Sequence, residues 1–271
     1  LPPDINRSAD RFTVEEGGIR FGLVAIKNIG RGFIQAVMRE RETGGDFTSL
    51  YDFCSRMNGS EMNKRAVENL IRSGAFDSMG ARRSQLIKVY ESVMDSVAAQ
   101  QRENVEGQMD FFSMAADNDE KSNSVKEIPL PDIPEYTPEE LMTMEKATTG
   151  LYLSGHPMDH YRDAVRKLHA PTIVSIIEDF SRENGPERFT DGQRITIAGV
   201  ITSSKTKTTK NNSLMAYVMV EDDTASMELL CFSRVLETCG AYMKENQAVV
   251  VKGRLSVRDE KAPQIMCDSI Y

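Results

Sequence analysis

In the last third of the chain the apolar residues alternate with polar ones in five runs: RITIAGVITS, LMAYVMVED, SMELLCF, AVVVKGRLSV and PQIMCDSIY. A period of two, with many β-branched residues, predicts half-buried strands. A helical stretch from Arg234 to Lys244 separates the third run from the fourth. The order β-β-β-α-β-β over residues 190–271 predicts a five-stranded OB-fold, a small Greek-key barrel. Earlier in the chain the period is helical. Apolar positions recur at helix spacing over Ile19 to Asn28, Phe33 to Arg41 and Thr48 to Arg56, then from a cap at Asn63 to Arg72, and from Ala81 to around Ala99. Residues 1–18, with Pro2-Pro3 and Gly17-Gly18, are expected to be extended and turn-rich.

Between 100 and 136 the periodicity is lost. Asp, Asn, Ser, Glu and Pro dominate, and Ile128-Pro-Leu-Pro-Asp-Ile-Pro134 should be extended, so this stretch reads as an acidic linker. Thr137-Pro138-Glu139-Glu140 then starts a helix: the threonine can cap, proline suits the first turn, and Glu140 can reach back to the cap amide. That helix should end near Gly150. Further helices from Pro157 to His169 and from Ile173 to Phe180 complete a helical connector over 137–189. The class is α+β and multi-domain: a helical block over 19–99, a linker, a connector and a barrel.

Charge sharpens this division. The net charge is −8, yet residues 17–90 carry 12 basic and 7 acidic side chains, while residues 91–145 carry 3 basic and 14 acidic. A basic block inside an acidic chain suits local phosphate contact, and equally a solvated surface. No apolar run reaches the roughly 18 residues of a membrane span, and no signal peptide is read at Leu1-Pro2-Pro3-Asp4. The four cysteines form no CxxC and no zinc framework, so reduced thiols in the cytoplasm are expected. A chain that begins at Leu1 rather than Met reads as a piece of something longer.

The first candidate chemistry is Ile29-Gly30-Arg31-Gly32, between two expected helices and preceded by Lys27. Glycines there permit positive φ, and the amides opening the next helix could hold a phosphate oxygen. This is the physics of a helix-hairpin-helix, which grips nucleic-acid backbone without reading sequence. The alternative is a glycine C-cap and a tight turn. A second hairpin is expected at Ser73-Gly74-Ala75-Phe76 and Gly80, with Arg82 and Arg83 opening the following helix, either toward phosphates or on an exposed face. In the barrel, the loop Ser203 to Asn212 carries Lys205, Lys207 and Lys210, and Arg258 lies in the last loop; with Tyr217 they could follow a single strand, though the scarcity of aromatics points to weak, unselective binding. A barrel used for protein contacts is the other reading.

Enzyme signals are poor. Glu221-Asp222-Asp223 reads as a polar hairpin turn, His156 and His160 lack a third ligand, and no catalytic triad, P-loop or Rossmann fingerprint is present. No catalytic or metal-binding residue is expected. The run Gln108-Met109-Asp110-Phe111-Phe112 stands out in the acidic stretch, because two adjacent phenylalanines on a solvated tether suit insertion into a partner's pockets. Alternatively they staple the linker to its own domain.

The runs IRFGLVAIKNIGRGFIQAVMRERETGGDFTSLYDFC, NKRAVENLIRSGAFDSMG and GLYLSGHPMDHY closely resemble the C-terminal half of the bacterial replicative DNA polymerase III alpha subunits. The opening LPPDINRS is similar to the end of that family's fingers region, which would assign residues 1–18 there. The resemblance implies fingers, a tandem helix-hairpin-helix domain, a clamp-binding peptide and an OB domain, in that order. It implies that Gln108, Met109, Phe111 and Phe112 bind the sliding clamp (the beta subunit), with Asp110 facing solvent. Lys27, Gly30, Arg31, Gly32, Arg82 and Arg83 would meet duplex DNA. Lys205, Lys207, Lys210, Tyr217 and Arg258 would meet single-stranded template. Other holoenzyme subunits are implied partners. The polymerase carboxylates and their Mg would lie before Leu1, so this segment would need no cofactor of its own. The competing reading is a non-enzymatic nucleic-acid adaptor or repair scaffold built from the same modules.

Overall fold

The computed structural model describes residues 1–59, 62–110, 128–209, 211–258 and 262–271, with residues 103–110 described as backbone. The chain divides into two compact units, Leu1–Ser154 and Gly155–Tyr271. The first holds a small hairpin, β1 (Thr13–Glu15) and β2 (Gly18–Arg20), and five helices: α1 (Arg31–Gly44), α2 (Leu50–Arg56), α3 (Lys64–Arg72), α4 (Arg83–Asp110) and α5 (Pro138–Thr149). The second holds a short 3-10 helix at Pro157–Tyr161, then α6 (Arg162–Lys167) and α7 (Ile173–Phe180). Strands β3 (Arg194–Thr208), β4 (Leu214–Glu221), β5 (Ser226–Phe232), helix α8 (Ser233–Cys239), β6 (Ala248–Ser256) and β7 (Gln264–Ile270) follow.

The helical starts follow local chemistry. Ser49 and Asn63 accept from Asp52 N and Ala66 N to cap α2 and α3. Thr137 and Glu140 form the expected capping box on α5, which ends at Gly150 with φ 83°. Four phenylalanines fix the centre of this unit. Phe53, fully buried, meets Phe33, Phe47 and Phe76 edge-on at 6.2, 5.0 and 5.1 Å between centroids.

Three elements differ from the sequence reading. The stretch Ile19 to Asn28 forms no α-helix: its start pairs as β2, and a 3-10 turn at Leu23–Ala25 follows. Gly22 explains it. A Cβ there would lie 2.4 Å from the Arg11 backbone carbon, so the chain passes extended against residues 11–12. Leu23 and Ile26, both buried and three residues apart, imitate a helical face. Second, α4 continues past Ala99 to Asp110. Third, the chain from 128 to 154 belongs to the first unit, with α5 packed on α3, and the second unit starts at Gly155.

The five long strands close a barrel in the order β3-β4-β5-β7-β6, with β6 returning to β3. All pairs are antiparallel except β5 with β7. Gly199 and Gly253 allow closure. A Cβ at Gly199 would lie 2.5 Å from Val220 Cγ1, and one at Gly253 2.4 Å from Met266 O. The interior is aliphatic, with Ile197, Val218, Leu229, Val251 and Ile265 fully buried. The acidic turn serves the fold: Asp222 accepts from Thr224 N and Ala225 N within the turn, and from Ile173 N at the start of α7. The carboxylate of Asp179 is buried, and burial alone would raise its pKa; the amides of Arg188, Phe189 and Glu187 outweigh that and hold it below the ordinary range. All four cysteines are free and buried. Among the described residues no helix is long and apolar enough to cross a membrane.

Candidate nucleic-acid interfaces

The first hairpin turn runs from Ile26 to Arg31. Its positive φ is carried by Asn28 (63°), while Gly30 sits in the extended region at φ −75°, ψ 147°. Gly30 thus serves as an uncluttered N-cap rather than as the left-handed residue the sequence suggested. No side chain caps α1, and no acidic residue occupies its first turn. Gly30, Arg31 and Gly32 are all exposed. The amides of a first helical turn that carries no carboxylate of its own suit an anion, with Asp10 the acidic neighbour in the depression beside them. Among the described residues no carboxylate pairs with Arg31 or Arg39, and Gln35 shares their exposed stripe along α1. Arg31 lines one depression with Arg11, Asp10, Val24, Ile34 and Gln35. Arg11, four-fifths exposed with Asp10 3.9 Å from its Nε, is the functional candidate that sequence reasoning missed. Its only signal was a basic residue in a segment read as belonging elsewhere.

Lys27 does not join this group. Its Nζ donates to Ala147 O at 2.8 Å, its backbone N donates to Thr148 O at 2.8 Å, and its carbonyl accepts from Asn69 Nδ2 at 2.6 Å. The ammonium therefore sits on the terminal carbonyls of α5, where the helix dipole favours a cation. In this position it is a structural tie between the hairpin and α5.

The second hairpin forms as expected: α3 ends at Ser73, Gly74 and Gly80 adopt φ 83° and 80°, and α4 opens at Arg83. Its anion position, however, is already filled. The Glu135 carboxylate accepts from Arg83 N at 2.7 Å and Ser84 N at 3.0 Å. Burial would raise the Glu135 pKa, but the amides of Ser84, Tyr136 and Arg83 more than offset it and keep the carboxyl ionised below its ordinary range. Beside it, Arg82 Nη1 donates to Ile133 O at 2.7 Å, and Gln85 Nε2 to Pro131 O at 2.8 Å. The segment 131–135 is a strap across the hairpin.

Arg83 points inward and is 5% exposed. It contacts Asp77 at 2.6 Å and Glu145 at 3.0 Å. Burial alone would lower its pKa, and those two carboxylates reverse the shift. Arg83 is thus corrected from a phosphate contact to a core ion pair, while Arg82, half exposed, bonds to the strap.

In the barrel, the residues expected in a loop lie on a strand. β3 runs on to Thr208, so Lys205 and Lys207 stand opposite Tyr217 and Met215 of β4. Because Ala216, Val218 and Val220 point inward, Met215, Tyr217, Lys205 and Lys207 share the outer face. On β5, Phe232 pairs with Met215 and is 43% exposed. The strand alternation already placed Phe232 outward of Cys231, and this second aromatic was overlooked. Arg258 is exposed just beyond β6. Lys210 lies outside the described residues. Of the tether run, Gln108, Met109 and Asp110 end α4 as backbone, and Phe111 and Phe112 lie outside the described residues. Among the described residues no group of three or more His, Cys, Asp or Glu side chains could hold a metal.

Two family models match the chain: a helix-hairpin-helix motif over residues 1–86 and an OB-fold nucleic acid binding domain over 195–271. Similar curated proteins are the DNA polymerase III alpha subunits of Vibrio cholerae (31% identical, covering 96% of this chain and 21% of that protein), Saccharopolyspora erythraea (34%, 96% and 21%) and Deinococcus radiodurans (34%, 96% and 19%). The chain spans about a fifth of the length of these relatives. Among solved structures, the SSB domain of a Synechococcus protein aligns at TM-score 0.28 and 15% identity, over 31% of this chain and 99% of that one. The second single-stranded DNA binding protein of Mycobacterium smegmatis aligns at TM-score 0.27 and 14% identity, over 30% and 87%.

Proposed function

We propose that the chain is a segment of a DNA polymerase III alpha subunit, the one with which such a polymerase holds duplex DNA and is tethered to its sliding clamp; its helix-hairpin-helix and OB matches and its 31–34% identity to such subunits support the reading. The observation that carries the reading is the contrast between the two hairpins. The start of α1, uncapped and flanked by Arg31 and Arg11, is open to a phosphate, whereas the start of α4 is closed by Glu135. Duplex contact therefore falls on the first hairpin: the amides of Arg31, Gly32 and Phe33 take phosphate oxygens while Arg31 and Arg11 add charge. Backbone contact of this kind is indifferent to sequence, as a replicative enzyme requires.

The second unit takes single-stranded template on the outer face of β3–β5. There Tyr217 and Phe232 offer base platforms and Lys205 and Lys207 follow the backbone. The run Gln108 to Phe112, which begins in the last residues of the 28-residue α4, presents Met109, Phe111 and Phe112 to the clamp. Polymerisation, its divalent-metal chemistry and the contacts to other holoenzyme subunits belong, in this reading, to the rest of the relatives' length.

A salt titration of duplex binding tests the grip. Two or three neutralised phosphates should give a log–log slope of about −2 to −3, at roughly −0.9 per phosphate on B-DNA. Affinity independent of salt would contradict phosphate contact.

A further inference from the structure

The barrel carries a second charged face, away from the strands β4 and β5 already assigned. On β6, Val249, Val251 and Leu255 point inward, so Lys252 and Arg254 point outward. Arg254 stands directly opposite Arg194 of β3, and Lys252 stands opposite Thr196 on β3 and Ser269 on β7. All three cations are exposed. Like charges directly opposite each other on a sheet destabilise the pair. Here, among the described residues, a single carboxylate, Asp268, reaches Arg254 at 3.4 Å with half of each side chain open to solvent. The aromatic ring of Tyr271 lies 5.2 Å from Lys252 Nζ and is itself exposed. The backbone between these side chains is a shallow depression floored by Ile195 and Gly253.

Three cations within two residues of one another, one carboxylate and an exposed ring match what a single strand offers: closely spaced phosphates and a stackable base. From this we infer a second single-strand track on the outer face of β3, β6 and β7, in which Arg194, Lys252 and Arg254 follow the phosphate backbone and Tyr271 receives a base. The inference rests on the reading of the barrel as a nucleic-acid domain, and adds a surface to it. A strand held on both faces would wrap the barrel rather than lie across one side. The charge of the opposed cations Arg194 and Arg254 that Asp268 leaves unmatched is then neutralised by the ligand.

The test compares two sets of substitutions in the whole chain, with a fluorescent oligodeoxythymidine as probe and affinity measured across a salt series. Replacing Arg194→Ala, Lys252→Ala and Arg254→Ala together should weaken binding by about tenfold or more and make the log–log salt slope shallower by about 2, at roughly 0.7 per phosphate on a single strand. The thermal midpoint should hold or rise, because opposed charges are removed. Replacing Lys205→Ala and Lys207→Ala measures the other face. If the triple variant binds as the unaltered chain does while the lysine variant loses affinity, the second track is wrong and the barrel reading stands. If the unaltered chain binds no oligonucleotide, both fail. A lowered midpoint in the triple variant, or equally tight binding of poly-glutamate to the unaltered chain, would also overturn the proposal, by making these charges structural or merely polyanion-binding.

Discussion

Replacing Glu145 with alanine is expected to destabilise the first unit by about 3–5 kcal/mol, the usual cost of removing one partner from a buried ion pair. Glu145 is 1% exposed. Its Oε1 accepts from Arg83 Nη1 at 3.0 Å, and its Oε2 accepts from Leu153 N, Ser154 N and Ser154 Oγ at 2.9, 2.9 and 3.0 Å. Alanine would leave the buried Arg83 guanidinium to Asp77 alone and orphan three further donors. The same carboxylate therefore anchors the start of α4 and the turn that closes the unit, so the loss should reach both. Urea denaturation followed by helical signal measures it. The double change Arg83→Met with Glu145→Gln should cost less than the sum of the two single changes, because the stranded cation is gone. A loss below about 1 kcal/mol in Glu145→Ala would mean that the pair is not holding the unit together.

The largest expected effect on binding lies at Phe111 and Phe112. Substituting both with alanine should weaken association with a purified sliding clamp by about 4 kcal/mol, near a thousandfold, if each is a buried anchor worth roughly 2 kcal/mol or more. Asp110→Ala should leave affinity within about twofold, since a residue facing solvent at a partner surface contributes little. Surface plasmon resonance on immobilised clamp separates the two. Undiminished affinity in the double variant would end the tether proposal, and an equal loss in Asp110→Ala would replace the two-pocket picture with an electrostatic one.

Much of the architecture was legible because it is written locally. The cap at Asn63, the box at Thr137 and Glu140, and the alternation in β4 to β7 each depend on residues a few positions apart. What could not be read depends on partners far along the chain. Lys27, Arg82 and Arg83 look alike as basic residues beside a hairpin. Yet Arg82 and the Arg83 amide are held from the stretch 131–135 that read as a linker, and Lys27 and the Arg83 guanidinium are tied to α5, 62 to 120 residues away, with Asp77 also on Arg83. Arg31 has no such long-range partner among the described residues, and only the fold reveals that difference. The extension of β3 escaped for a related reason: Ser, Thr and Lys are poor strand signals, and register with the well-marked β4 carries them into the sheet. Ile19 to Asn28 failed through periodicity itself, since Leu23 and Ile26, three apart as on a helix face, were placed by tertiary packing around Gly22.

The asymmetry of the two hairpins is the centre of the account, and one comparison addresses it: duplex affinity across a salt series for Arg31→Ala and for Arg82→Ala. Arg31→Ala should weaken binding to every duplex sequence alike and reduce the salt slope by about 1, the signature of a lost phosphate contact. Arg82→Ala should leave both affinity and slope as they were, because its guanidinium is bonded to Ile133 O beside the position that Glu135 occupies. A reduced slope in Arg82→Ala with none in Arg31→Ala would place the grip on the second hairpin and contradict the account.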